Sequence, residues 1–538
     1  MSAFLTRFRM LEWGARIAAW LPVGLALLFP VFFIPACYDA YVLPRAALAL
    51  AGAGGAVALR VWLPANSAGR LGALALPGLG VAGAALISLA LSINPPVAVI
   101  GSYGRYESAP IRLAYLGLFA ASAWGLRSAR HRWWFGTAFL AGTAVAGSEA
   151  LFEAATHSLA RPDGNLGQAN LLGALLAMAI PLALLRALRS PRWAVLLLPL
   201  TGGLIVSTSR SGWLGALAGC ALLVPLLARR IEVRRGGLVA AVTVPLLALT
   251  GIVTSPLARL NSDVGTQRPH VWWDALHLVA ARPLFGWGEE SFGLVFGRFV
   301  TGDWEPGNVF DRAHQFAIDI AAAQGLAGLA AGGWFWTLWL VLVVRRCWSA
   351  TEPREEVPGL IAAWAGYLVT VSVNFDWAPA TAPVWLLAGA AWSSLSDPGR
   401  LPAWIPRPGL RTAARAGLAL ATSVATAALV AFLAVLPVLA DLAYAGGDTA
   451  RAVSLDPLQA EYHRALGARL LAGGRDGDAA HELAAAARLG ESSSGAFVDL
   501  GDAYRGAGDR SAAAAAYREA VRLNPYDGAA RQRLAELT

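Results

Sequence analysis

The chain has 538 residues, 57% hydrophobic and 14% charged, a balance that a soluble globule with an ordinary polar surface does not reach. Its net charge of +9 contains no lysine: all 43 basic residues are arginine. They fall mainly in short clusters between apolar runs, where they read as membrane-topology signals, so the charge does not point to nucleic acid. Cys37, Cys220 and Cys347 are far apart and make no metal spacing; neither a disulfide nor a structural zinc is expected.

Arg7, Arg9 and Arg16 precede the first apolar run and no small-residue cleavage site follows it, so the N-terminus reads as a first anchor. Runs near the ~20 residues needed to cross a bilayer lie at 14 to 34, 42 to 63, 72 to 92, 111 to 128, 133 to 155, 169 to 188, 192 to 209, 211 to 228, 237 to 256, 315 to 343, 359 to 376, 379 to 396 and 415 to 440. That makes about 13 spans of an all-α, polytopic transmembrane bundle over residues 1–440. Every second connection carries the arginine excess, for example Arg127, Arg130 and Arg132, then Arg186, Arg189 and Arg192, which assigns those connections to the cytoplasm. With an odd number of spans and the N-terminus inside, the C-terminus lies outside. The remaining connections include 93 to 110, 156 to 170, 207 to 212 and a large extracytoplasmic loop at 257–314, whose length suggests function.

Residues 441–538 change character. Asp456-Pro457 and Asn524-Pro525 stand 68 positions apart, twice the tetratricopeptide period of 34. Phe497, Leu500, Gly501, Tyr504, Gly508, Ala513, Tyr517, Ala520 and Pro525 occupy that repeat's large, small and turn positions. A helix over 442 to 455 is expected to continue the last membrane helix into this small α-solenoid, which would bind a peptide or protein partner.

Arginines on the outer connections that topology does not require need another reason to be there. Arg105, Arg161, Arg210 and Arg268 are such residues, and guanidinium forks suit bidentate contacts with phosphate oxygens. TSRSGWLG at 208 to 215, RPHVWWDALHLVAARPLFGWGEESF at 268 to 292 and AHQF at 313 to 316 followed by QGLAGL resemble the signature stretches of the O-antigen ligase and polymerase superfamily. RPDGNLGQANLLG at 161 to 173 and GSYGRYESA at 101 to 109 are similar to two further stretches of that family.

The resemblance implies a metal-independent, inverting glycosyltransferase of the bacterial inner membrane that uses a polyprenyl (undecaprenyl) pyrophosphate-linked glycan and needs no cofactor. Arg210 and Arg268, joined by Arg105 and Arg161, would bind the donor pyrophosphate, and His314 would be catalytic, accepting the proton of the acceptor hydroxyl. Where the family commonly has Asn after this His, the chain has Gln315. The acceptor could be a lipid A core sugar, a growing glycan or a protein hydroxyl, giving a ligase, a polymerase or a protein O-glycosyltransferase. A small-anion transporter or a scaffold is the alternative of a different class. Asp303, Glu305 and Asp311 are too loosely spaced to read as a metal site. Trp272, Trp273, Trp287 and Trp304 could stack on sugars or isoprenes, or simply sit at the interface. GWGEE at 286 to 290 reads as a turn.

Overall fold

The computed structural model describes residues 2–63, 71–156, 161–227, 267–304, 310–349, 356–395 and 412–537, with side chains from Trp13 onward and, in the last stretch, from Ala416 onward. Among the described residues every regular element is helical. Eight of these helices are long and apolar enough to cross a membrane: Trp13–Val31, Val42–Trp62, Gly72–Ala90, Ala129–Thr156, Ala169–Arg189, Arg210–Leu227, Phe316–Ser349 and Ala416–Ala445. The expected run at 237 to 256 lies outside the described residues. The runs at 192 to 209 and 359 to 376 form shorter apolar helices, Pro191–Val206 and Val357–Val371. Helices Ala109–Gly125 and Ala378–Trp392, of 17 and 15 residues, are likewise shorter than a straight crossing requires. The count of 13 therefore does not follow from the structure, although the multi-pass character does.

Small residues set how closely the central helices approach. Helices Ala169–Arg189, Arg210–Leu227 and Val357–Val371 pack on one another. A Cβ on Gly212 would stand 2.8 Å from the Gly173 Cα, and one on Gly219 would stand 2.7 Å from the Ala362 carbonyl oxygen. Lipid gives no hydrophobic drive for helix association, so such backbone contact supplies the packing energy. It also fixes the start of the Arg210 helix against Asn170.

Helix Phe316–Ser349 is broken at Gly325, whose φ of 68° and ψ of −166° no helix accommodates. The break strands backbone groups, and the turn at 283 to 288 pairs with them. Trp287 and Gly288 donate to the carbonyls of Ala322 and Ala323 at 2.8 and 3.0 Å, while Leu326 and Ala327 donate to Pro283 and Leu284 at 2.7 and 3.1 Å. Ser88 Oγ adds a bond of 2.7 Å to the Ala323 carbonyl. An unpaired backbone group within the membrane costs several kcal/mol, so the break and the turn require each other. Glu289 and Glu290 are thereby held beside the segment that carries His314.

The C-terminal repeat is built of helices Ala460–Ala472, Asp476–Arg488, Ser494–Gly506, Arg510–Leu523 and Gly528–Ala535. Ala460 to Ser494 and Asp476 to Arg510 are both steps of 34, and Ala479, Leu483, Phe497, Leu500, Ala520 and Leu523 fill its core. The helix expected over 442 to 455 is instead two. Helix Leu436–Ala445 ends at Gly446, Gly447 takes a φ of 80°, and Asp448 accepts from Arg451 N to start helix Thr449–Leu455. The end of the last membrane helix thus becomes one arm of a helical hairpin that leads into the repeat.

The repeat is docked on the membrane bundle. Asn94 Nδ2 donates to the Arg488 carbonyl at 3.1 Å, and both terminal nitrogens of Arg522 donate to the Leu294 carbonyl at 3.2 Å. Asp441, fully buried, accepts from Asp39 N at 2.9 Å, from Tyr103 Oη at 2.5 Å and from Tyr462 Oη at 3.3 Å. One carboxylate therefore ties together the first loop, the 101 to 108 loop and the repeat.

Candidate functional site

The loops at 101 to 108, 161 to 168, 207 to 210, 286 to 291, 310 to 315 and 372 to 377 meet on one face of the bundle, the face that carries the repeat. All four non-glycine residues with positive φ among the described residues lie in them: Tyr106, Thr208, Glu290 and His314, at 51 to 58°. Such backbone costs about 1–3 kcal/mol per residue and persists only where surrounding bonds enforce it.

Those bonds are visible around His314. The Ala313 N–H donates to Asp319 Oδ1 at 2.7 Å, and the Ala313 carbonyl accepts from Trp272 Nε1 at 2.9 Å. Gln315 Oε1 accepts from Ile318 N at 2.8 Å, so Gln315 caps the helix that follows. The imidazole lies edge-on to Phe375 and Phe310, with ring centroids 5.1 and 6.1 Å away. Neither ring nitrogen is committed to a hydrogen bond among the described residues. Burial pushes the imidazole pKa down from 6.5 to about 4; Asp311 opposes this, and Arg268, Arg105 and Arg312 reinforce it. His314 is therefore neutral near pH 7, with a lone pair available.

The surrounding arginines divide into two sets. Arg105 Nε is paired with Asp311 at 2.8 Å, and its guanidinium lies 4.6 Å from the ring centroids of both Phe375 and Trp377. Arg312, almost fully buried, pairs with Glu290, which in turn accepts from Ser102 Oγ at 2.7 Å. Arg112 sits among three carboxylates: Asp376, Glu107 at 3.3 Å and Glu289 at 3.5 Å. Tyr115 Oη donates to Glu107 at 2.6 Å and Gln324 Nε2 to Glu289 at 2.5 Å. Burial raises the Glu107 carboxyl to about 7 despite Arg112.

Arg161, Arg210 and Arg268 form the second set. Among the described residues none of them has a carboxylate within ion-pair distance. Arg161 Nη2 donates to Asn170 Oδ1 at 2.9 Å, and Arg268 Nη1 donates to the Val373 carbonyl at 2.6 Å. The same Asn170 oxygen accepts from Ser209 Oγ at 3.2 Å, next to Arg210. Burial lowers the pKa of both Arg161 and Arg268, and the charge of Arg210 lowers each further, so Arg210 is close enough to repel each of them. Among the described residues these three guanidinium groups thus carry positive charge without a carboxylate partner.

All five residues singled out in the sequence come to this face. Arg161, Arg210 and Arg268 gather as one group, whereas Arg105 stands beside His314 with its charge compensated. Sequence reasoning passed over Arg45, fully buried, which donates to the carbonyls of Phe29, Tyr41 and Asn165 and to Asn165 Oδ1 at 2.8 to 2.9 Å. It holds the loop that carries Arg161. Arg112 and Arg312 were also passed over; Glu107, Glu289 and Glu290 in otherwise apolar or turn-like stretches were their signal. Trp272, Trp287 and Trp304 use their indole N–H groups as internal braces, to Ala313, Leu278 and Asp274, while Trp273 is exposed. Asp311 serves Arg105, and Glu305 lies outside the described residues.

A family model described as O-Antigen ligase matches residues 194–331, and one described as Tetratricopeptide repeat matches residues 494–537. Residues 194–331 are thus similar to an O-antigen ligase domain. The match contains Arg210, Arg268 and His314 and the turn that fills the helix break, and it supports a membrane glycosyltransferase of the ligase and polymerase type. No curated protein matches the chain.

Proposed function

We propose that the chain transfers a preassembled glycan from a polyprenyl pyrophosphate of the undecaprenyl class to a hydroxyl acceptor outside the cytoplasm, in the manner of an O-antigen ligase. The observation that carries this reading is the set of three arginines, Arg161, Arg210 and Arg268, which have no carboxylate partner among the described residues, with Arg268 close enough to lower the pKa of a neutral His314. A pyrophosphate supplies the negative charge those groups lack. His314 accepts the proton of the acceptor hydroxyl as its oxygen attacks the anomeric carbon. The bond from that carbon to the pyrophosphate oxygen breaks, and the charge that leaves is met by the arginines. Displacement in one step inverts the anomeric centre. The guanidinium groups supply the positive charge that a metal would otherwise supply. Arg105, compensated by Asp311, acts here through the field around His314 more than by gripping phosphate. The alternating arginine pattern supports an inner-membrane protein with its N-terminus in the cytoplasm and its repeat outside.

The test is transfer in proteoliposomes from a polyprenyl-pyrophosphate glycan to a panel of lipid A core, glycan and Ser/Thr peptide acceptors. Wild type is expected to transfer, in EDTA as well as without it, and to give the inverted linkage. His314→Ala is expected to lose about 10²–10⁴-fold in rate. Transfer to a glycan or peptide but not to lipid A core would change the acceptor class and keep the site; full activity of both His314→Ala and Arg210→Ala would remove the site.

A further inference from the structure

Three contacts close a circuit around His314. Arg268 Nη1 donates to the Val373 carbonyl at 2.6 Å. Two residues further along that loop, the Phe375 ring meets the His314 imidazole edge-on, with centroids 5.1 Å apart. Trp272 completes the circuit: it stands one turn beyond Arg268 on helix Arg268–Ala281, on the same face, and its indole N–H donates to the Ala313 carbonyl at 2.9 Å. That carbonyl shares its peptide plane with the His314 nitrogen, so the bond fixes the plane from which His314 turns to its φ of 56°. The helix is itself anchored. Asp274, fully buried, accepts from Thr301 N, Thr301 Oγ1 and Trp304 Nε1 at 3.1, 2.8 and 2.9 Å, and Trp287 Nε1 donates to the Leu278 carbonyl at 2.9 Å. Asp319 holds Ala313 from the other side. Its Oδ1 accepts from Ala313 N at 2.7 Å, while its buried Oδ2 has no hydrogen-bond partner among the described residues. A buried carboxylate with so few bonds is costly, and the one hydrogen bond it accepts goes to the residue before the base.

We infer that Trp272 and Asp319 are positioning residues for the proposed transfer: they clamp Ala313 from both sides and so set the His314 base at a fixed distance from Arg268, the arginine proposed to meet the leaving pyrophosphate. Displacement in one step needs the attacking oxygen, the anomeric carbon and the leaving oxygen nearly in line. The base and the charge that receives the leaving group then stand on opposite sides of the reacting carbon, and their spacing governs the rate of transfer more than the binding of either substrate. Trp272 sets that spacing because it shares a helix with Arg268 and a hydrogen bond with the residue before His314. Were Trp272 only filling space beside Ala313, a Phe there would serve as well. The indole N–H is the part that a Phe lacks.

The inference rests on the transferase reading, and two readouts on the full-length chain in proteoliposomes separate them. In the transfer assay Trp272→Phe and Asp319→Leu are each expected to lower kcat about tenfold or more with the donor Kd unchanged. Asp319→Asn, which keeps an acceptor for Ala313 N, is expected to stay within about threefold of wild type, and the Trp272→Phe/Asp319→Leu double variant to fall little further than the slower single one. The second readout needs no transfer. Carbethoxylation of His314, followed by peptide mass spectrometry, is expected to speed up about threefold or more in Trp272→Phe as the strained backbone relaxes, with the exposed His481 as the internal control. Faster labelling of His314 in the variant, with no transfer even by wild type, would overturn the transferase reading and keep the clamp. Wild-type kcat in Trp272→Phe, a loss that falls on donor Kd instead, Asp319→Asn as slow as Asp319→Leu, or unchanged labelling would overturn the clamp.

Discussion

Arg105, Arg112 and Arg312 each have a carboxylate partner, whereas Arg161, Arg210 and Arg268 have none among the described residues, and this difference sets what each can do. On the proposed donor site, removing Arg210 or Arg268 would take away charge-assisted bonds to the pyrophosphate, worth about 1.5–3 kcal/mol each. Arg268→Ala is therefore expected to weaken the binding of undecaprenyl pyrophosphate about tenfold to a hundredfold while the melting temperature holds. Arg186 provides the contrast. It pairs with Glu356 on the opposite face, and Arg186→Ala strands a buried carboxylate at a cost of about 3–5 kcal/mol. That variant should melt earlier and, where folded, bind the donor normally. The pH dependence belongs to His314. Its pKa is lowered from 6.5 to about 4, so the free protein keeps the neutral base as pH falls through 6.5 and loses it only near 4. The acid limb of kcat/KM is expected below pH 5. The bound donor's negative charge favours the imidazolium, so the limb of kcat should lie higher. A limb of kcat/KM at 6.5 would show His314 to be solvated instead.

The broken helix Phe316–Ser349 and the turn at 283 to 288 form one structural element divided between two stretches of sequence. Hydropathy registers the run from 315 to 343 but not the break, because Gly325 looks like any small residue in an apolar helix. The turn at GWGEE was legible; that it pairs with a helix 35 residues further on was not, since no local periodicity encodes a tertiary partner. The span count of 13 is not confirmed, and hydropathy alone does not decide it. Hydropathy measures apolar length, and helices such as Ala109–Gly125 and Ala378–Trp392 are apolar because they are packed inside the bundle, with Leu118, Ala378 and Leu386 fully buried. The order of the arginines and His314 was legible because each lies at a polar interruption of an apolar run. Arg112 was not, since it lies inside such a run, one turn into its helix. Gly325→Ala would place a Cβ against the Leu284 carbonyl at a φ that alanine resists. A loss of about 2 kcal/mol or more is expected, measured by thermal unfolding in detergent together with reduced transfer.

At the scale of the whole chain the repeat and the membrane bundle share their buried polar groups. Asp441 accepts from Tyr103, Tyr462 and Asp39, and Gln459 Nε2 reaches the Gly101 carbonyl at 3.4 Å, so the loop that carries Arg105 is held partly by the repeat. Asp441→Ala leaves two buried hydroxyls and an amide without their acceptor, at about 1–3 kcal/mol each. Faster proteolysis at the repeat boundary and lower kcat are expected together; a change in proteolysis alone would show that the repeat does not order the site. Orientation is checked with a cysteine at the exposed His481, since Cys37, Cys220 and Cys347 are buried. In intact spheroplasts it should react with an impermeant maleimide. The most direct measurement is single-turnover transfer in proteoliposomes preloaded with donor, with donor affinity determined on the same preparations. His314→Ala is expected to bind donor like wild type yet transfer it about 10²–10⁴-fold more slowly, and Arg210→Ala to lose donor affinity first. A His314→Ala protein that transfers bound donor at the wild-type rate would contradict the assignment of His314 as the base.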